Sequence, residues 1–234
     1  MKEPVKALTY RFRWEDWRER EFTVRLSNPG LSLETTPRRS LPAWTELGFN
    51  QCPNCPLKAA DQPHCPVAVG LVDLVELFQD CLSTEVTEVT IQSKERQYRK
   101  TMSVMDGLSS LMGLHMAAAG CPILDKLRPM ALTHLPFASL EETMYRSISM
   151  YLVAQLLLKK RGRTPDWDLK DLMRIFEEIN AVNRSFVKRL QSAAPRDASI
   201  NALVKLDCLA GHSRFSIDRT YLKSLEKSFA AYLE

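Results

Sequence analysis

A chain of 234 residues with 45% hydrophobic and 26% charged residues can bury a large core, which excludes wholesale disorder and any need for a metal staple merely to fold. Its formal net charge of +4 is spread along the sequence, and the two densest basic runs, Arg96 to Lys100 and Lys159 to Arg163, are short and fall near expected helix ends, so a polycationic nucleic-acid binder is not indicated. The longest apolar stretch, Ile148 to Leu158, is broken by Ser149 and Gln155 and is too short to span a bilayer.

In chain order, Met1 to Trp17 carries charges of both signs and lacks the apolar core of a signal peptide, which gives a cytoplasmic expectation. Leu8, Tyr10, Phe12 and Trp14 alternate with polar residues, and Phe22, Val24 and Leu26 do so again beyond a turn at Glu15 to Glu19. This period of two predicts a β-hairpin. Asn28-Pro29-Gly30 ends the hairpin, and Leu31 to Thr35 is read as a short third strand. Pro37 to Pro42 is a connector, and Trp44 to Pro66 is an irregular loop rich in proline and cysteine.

Val67 to Leu82 has helical spacing, and Val86, Val89 and Ile91 among threonines predict a strand that joins the N-terminal sheet. Met102, Met105, Leu108, Met112 and Met116 recur every three or four residues, with Gly120 as the C-terminal stop. Methionine in that pattern reads as adaptable core filling before a copper site or a partner-binding face. Ser139 and Glu142 form a capping box that opens a helix to about Lys160, where Glu141 and Glu142 serve the cap and the dipole before any acid-base role. Thr164-Pro165-Asp166 opens the next helix, to about Gln191. Two more helical segments run from Ala198 to Ala210 and from Ser216 to Leu233.

These elements predict an α+β protein: a small N-terminal antiparallel sheet, made of the hairpin plus one or two further strands, packed on a predominantly helical C-terminal body. Residues 1–40 form the hairpin region, and residues 41–234 carry the Cys-Pro loop and the helices, as one compact unit with the sheet.

The chemistry concentrates in sulfur. Four of the six cysteines precede proline: Cys52-Pro53, Cys55-Pro56, Cys65-Pro66 and Cys121-Pro122. Proline fixes φ and removes a donor, so each pair reads as a stiff, non-helical corner that presents its thiol in a set direction. Cys81 and Cys208 lie in apolar helical patterns and read as inert core. The spacing Cys52-x2-Cys55-x9-Cys65, with Cys121 remote, differs from the paired CxxC of a zinc ribbon, and Pro56 follows Cys55 where a flexible residue often completes a knuckle. Scattered thiolates suit a [4Fe-4S] cluster, each of whose iron corners needs one sulfur, so an iron-sulfur site on Cys52, Cys55, Cys65 and Cys121 is favoured, with zinc as the alternative. His64 is the substitute non-sulfur ligand. His115 is a candidate to turn toward the site, His134 sits in a proline-flanked loop, and His212 reads as a cap or surface residue.

The function expected is therefore a soluble metal- or cluster-binding protein with a sensing, redox or structural role. The alternatives are a thiol-dependent enzyme, using Cys52 and Cys55 as a dithiol or Cys121 as a nucleophile, and a haem-binding regulator ligated through a Cys-Pro thiolate. Cys121 follows a helix, so helix carbonyls are expected to raise its pKa. No partner is named by the residues: a protein partner stays open, and Arg11, Arg13, Arg18, Arg20 and Arg25 on the hairpin offer a weaker nucleic-acid reading. Neither a Glu-x-x-His di-iron signature nor a glycine-rich phosphate loop occurs.

Overall fold

Alternation in the first strands becomes a sheet with one buried face. In the computed structural model, which describes residues 6–27, 30–216 and 219–233, strand β1 (Lys6–Arg13) buries Leu8, Tyr10 and Phe12. Strand β2 (Glu19–Ser27) pairs with it antiparallel, Tyr10 opposite Phe22 and Leu8 opposite Val24, and buries Val24 and Leu26. A two-residue strand β3 (Ser32–Leu33) pairs with the end of β2. Asn28 and Pro29, expected to terminate the hairpin, lie outside the described residues.

Strand β4 (Val86–Gln92) adds to the other side of β1, placing Val89 beside Phe12 and Ile91 beside Tyr10. Strand β5 (Gln97–Ser103) completes the antiparallel order β3-β2-β1-β4-β5 among the described residues. β5 takes up Met102, expected on a helix, and most of the Arg96–Lys100 run, expected near a helix end. Arg99 and Lys100 are in fact exposed on this edge strand, where charge suits an open edge and removes the apolar alternation that marks half-buried strands.

Helices cover the apolar face of the sheet. Helix α1 (Pro66–Phe78) starts with Cys65 as N-cap and Pro66 in its first turn, and its Phe78 ring meets Phe12 edge-on at 4.8 Å. Helix α2 (Val104–Ala118) is capped by Ser103, whose hydroxyl accepts the Asp106 N–H at 3.3 Å. It buries Leu108, Leu111, Met112, Leu114 and Met116, so the methionines are core. At Gly107 a side chain would meet Phe12 and Val89, which is how the helix lies so close on the sheet. Gly120, at φ +86°, turns the chain out of α2 as expected.

A 3-10 turn (Leu124–Leu127) runs into the short helix α3 (Arg128–Leu132), part of a segment expected as loop. Helix α4 (Leu140–Lys160) carries the full capping box: the Glu142 N–H donates to Ser139 Oγ at 3.1 Å and the Ser139 N–H to Glu142 Oε2 at 2.7 Å. Helix α5 (Lys170–Gln191) begins later than expected, because Asp166 reaches forward and accepts the N–H of Asp171 at 2.8 Å in place of a cap at Thr164. Helix α6 (Ala198–Ser216) continues through Gly211 where a stop was expected, and α7 (Arg219–Glu226) and α8 (Ala230–Leu233) follow. His212 is on α6, and its side chain lies outside the described ones. One hydrophobic core runs from Leu8 and Phe12 in the sheet through α1 and α2 to Phe176 and Leu203. No helix among the described residues is long and apolar enough to cross a membrane.

Candidate functional site

Two of the three stretches that carry the Cys-Pro thiols are tied to Glu178 of α5. Cys52 and Cys55 bracket a tight turn in which the Cys55 N–H donates to the Cys52 carbonyl at 3.0 Å. Asn54, inside that turn, donates Nδ2 to the Glu178 carbonyl at 3.0 Å. Beyond Cys121, Lys126 Nζ reaches Glu178 Oε2 at 2.9 Å. Glu178 thus anchors two of the three stretches, and Ser185 and Arg189, seven and eleven residues further along, share its helical face.

The sulfurs lie within electrostatic reach of one another. Burial pushes the Cys52 thiol up to about 11, with added repulsion from Cys65, Cys121 and Cys55 and an opposing contribution from the Ser185 hydroxyl beside it. Burial also raises Cys65 and Cys121, and Cys55 repels both. Deprotonating Cys52, Cys65 or Cys121 without a neighbouring cation is therefore costly.

Local backbone donors oppose that cost. The N–H groups of Val67 and Ala68 point at the Cys65 sulfur, and those of Ile123 and Leu124 point at the Cys121 sulfur, each lowering its thiol's pKa. Cys121 does follow α2, but it also opens the next helical turn: its carbonyl accepts the Asp125 N–H at 2.8 Å. The expected rise at Cys121 is present, but its largest cause is burial and not helix carbonyls, since the backbone groups that reach the sulfur are donors. At Cys65-Pro66 the cysteine is extended as expected, while Pro66 is already the first residue of α1.

Arg189 is the residue that the sequence reading missed. Its side chain is 1% exposed, and its guanidinium donates to the carbonyls of Trp44, Glu46 (2.7 Å) and Leu47 (3.3 Å). That clamp holds 44–47 against 63–65, where the Cys65 N–H donates to the Thr45 carbonyl and the Leu47 N–H to the Pro63 carbonyl, both at 2.8 Å. Desolvation lowers the Arg189 pKa, and Cys65, Cys52 and Cys55 pull it back up, so a buried positive charge faces three of the thiols. The available signal was an arginine on an apolar stripe, three residues after Phe186 and seven after Val182, both buried.

His64 is paired through Nδ1 with Thr45 Oγ1 at 2.9 Å, in the same frame as Cys65. His115 does not turn toward the sulfurs: it packs edge-on against Phe22 of β2 at 5.1 Å, fully buried, with its pKa pushed down to about 4 by desolvation. His134 hydrogen-bonds Tyr10 through Nε2 at 2.6 Å and lines a different cavity from His115. Cys81 is buried in the core as expected, whereas Cys208 is exposed on α6, a correction to its core reading. Of the hairpin arginines, Arg11 pairs with Glu19 and Glu21, Arg13 with Glu88, Arg18 with Asp16 and Glu85, and Arg20 with Asp80, so the row is largely charge-balanced. Among the described residues no three His, Cys, Asp or Glu side chains stand together as a ready-made single-ion site.

A five-stranded antiparallel sheet packed against a helical body makes this an α+β protein. The chain belongs to the family described as Domain of unknown function (DUF6901), whose model matches residues 8–230 and so takes in the sheet, all six cysteines and the helical body. No curated protein and no solved structure matches it.

Proposed function

We propose that this chain is a cytoplasmic cofactor-binding protein in which Cys52, Cys55, Cys65 and Cys121 ligate an iron-sulfur cluster of the [4Fe-4S] type, with zinc as the alternative occupant. What supports the reading is the electrostatic coupling of Cys52 to Cys65, Cys121 and Cys55, and of Cys65 and Cys121 to Cys55, across three stretches of the chain. A cluster takes one thiolate at each iron corner and accepts ligands that stand farther apart than the shell of one ion, which favours it over zinc here. Backbone N–H groups at Cys65 and Cys121 and the buried Arg189 cation would stabilise the negative charge of a thiolate-bound cluster.

Ligation would tie the loop 52–65 to the turn after Cys121, and loss of the cofactor would release it, which suits a sensing or structural role. The thiol-enzyme alternative receives less support, because buried thiols of raised pKa are poor nucleophiles at neutral pH. The test is purification without oxygen from iron-replete cells, followed by iron, acid-labile sulfide, zinc and haem quantification. The reading expects iron and sulfide in about equal amounts, roughly four of each per chain. Stoichiometric haem would transfer the site to the haem alternative, and absence of every one of these would end the proposal.

A further inference from the structure

A second site, independent of the first reading, is lined by Phe176, Ile179 and Asn183 of α5. A cavity of about 480 Å3 opens between α2, α3, α4, α5 and α6. That volume falls in the range of small-molecule pockets, roughly 300 to 1,000 Å3. Most of its wall is apolar, including Met116, Leu124, Phe176 and Leu206. Polar groups gather on part of the wall, where Ser110, His134 and Arg146 stand together with Tyr10 behind them. The Tyr10 hydroxyl is shared between His134 Nε2 at 2.6 Å and Ser110 Oγ at 3.3 Å, which fixes the imidazole.

The charge of the lining selects the ligand. Arg146, Lys100 and Lys205 line the cavity, against a single acid, Asp106, which is already paired with Lys205. Arg146 is half-buried and donates only to carbonyls, those of Met130 at 3.1 Å and Thr133 at 2.8 Å, and no ion pair engages Arg146 or Lys100 among the described residues. Lys6 sits nearby and donates to the carbonyls of Ala131 and Leu132. Lys6 and Arg146 both press His134 toward its neutral form, in addition to its burial, so the field at this wall is positive. Glu142 and Asp106 attract Arg146 and Lys100 without forming an ion pair with them, so cations still outnumber acids on the wall, and an apolar chamber of that kind is complementary to a molecule with a hydrocarbon body and an anionic head.

We propose that this cavity binds an amphipathic monocarboxylate, its hydrocarbon body against Met116, Leu124, Phe176 and Leu206 and its carboxylate at Arg146. The test is calorimetric titration of the full chain, at matched metal content, with three probes of equal chain length: decanoate, decanol and decyltrimethylammonium. Decanoate is expected to bind with Kd below about 100 μM and at least roughly ten-fold tighter than either of the other two. Arg146→Gln should weaken decanoate about ten-fold without affecting decanol, and Ala117→Phe, which fills the chamber, should abolish binding of both. Circular dichroism reports whether Arg146→Gln remains folded; if it does not, the exposed Lys100→Gln takes its place, with a smaller loss expected. No decanoate binding to the wild-type chain, equal binding of the three probes, or unchanged binding in Ala117→Phe would overturn the assignment. The thiol site is read by its metal content, so failure here leaves that reading separate.

Discussion

Cys65 and Cys121 are held by the same local device. Each precedes a proline and then two apolar residues, and each sulfur faces the backbone N–H groups of those two residues, Val67 and Ala68 in one case and Ile123 and Leu124 in the other. Proline at the second position has no N–H, so the donors available to sulfur are the two that follow. The device predicts equivalence: Cys65→Ser and Cys121→Ser should each lower iron and sulfide per chain several-fold, as should Cys52→Ser and Cys55→Ser. Cys81→Ser and Cys208→Ser should leave both unchanged. Retained stoichiometry in any of the first four would remove that residue from the ligand set.

Arg189 should matter for stability as well as for charge. In Arg189→Met the carbonyls of Trp44, Glu46 and Leu47 lose their buried donor, at a cost of about 3 kcal/mol. Arg189→Lys, which keeps the charge but not the planar fork, should fall between the two. Urea denaturation of cofactor-free protein measures both; a methionine variant as stable as wild type would show that the clamp contributes nothing.

Much of the fold was legible because its signals are local. Alternation at Leu8 to Trp14 and Phe22 to Leu26, the Ser139–Glu142 capping box and Gly120 all state their structure within a few residues. What was illegible depended on partners distant in sequence. β5 is an edge strand whose outward residues face solvent, so Gln97 to Ser103 lacks an apolar period. Asp166 caps α5 from several residues upstream, and Arg189 gains meaning only from carbonyls at 44–47. For the candidate site, proline neighbours separated four cysteines from the other two, but the donors at Cys121 depended on the chain re-entering a helical turn after Gly120, which composition does not reveal.

His115 gives the fold an acid-sensitive element. Burial holds its pKa at about 4 against an ordinary 6.5, so the unfolded chain takes up the proton first as pH falls. The stability it contributes is complete above pH 6.5 and is lost between there and about 4; at pH 5 the loss is about 2 kcal/mol. His134, pushed down to about 3, adds a loss of the same sign. His115→Phe keeps a ring against Phe22 and should flatten the decline between pH 7 and 5 in urea titrations. An unaltered slope would show that His115 is not buried neutral.

Gly107 tests the close approach of α2 to the sheet. A methyl group there would lie 2.7 Å from Phe12 Cε1 and 2.8 Å from Val89 Cγ2, both in the packed core. Alanine gains about 1 kcal/mol in helix propensity but overpacks by about 1 to 3 kcal/mol, so Gly107→Ala should be net destabilising. A raised melting temperature would contradict this packing.

X-ray absorption at the iron edge of oxygen-protected protein tests most directly whether the four sulfurs surround one cofactor. An all-sulfur first shell with iron neighbours just beyond it is the predicted result, and an all-sulfur zinc shell would keep the ligands while exchanging the occupant. A nitrogen- and oxygen-dominated shell, or protein containing neither iron nor zinc, would contradict the account.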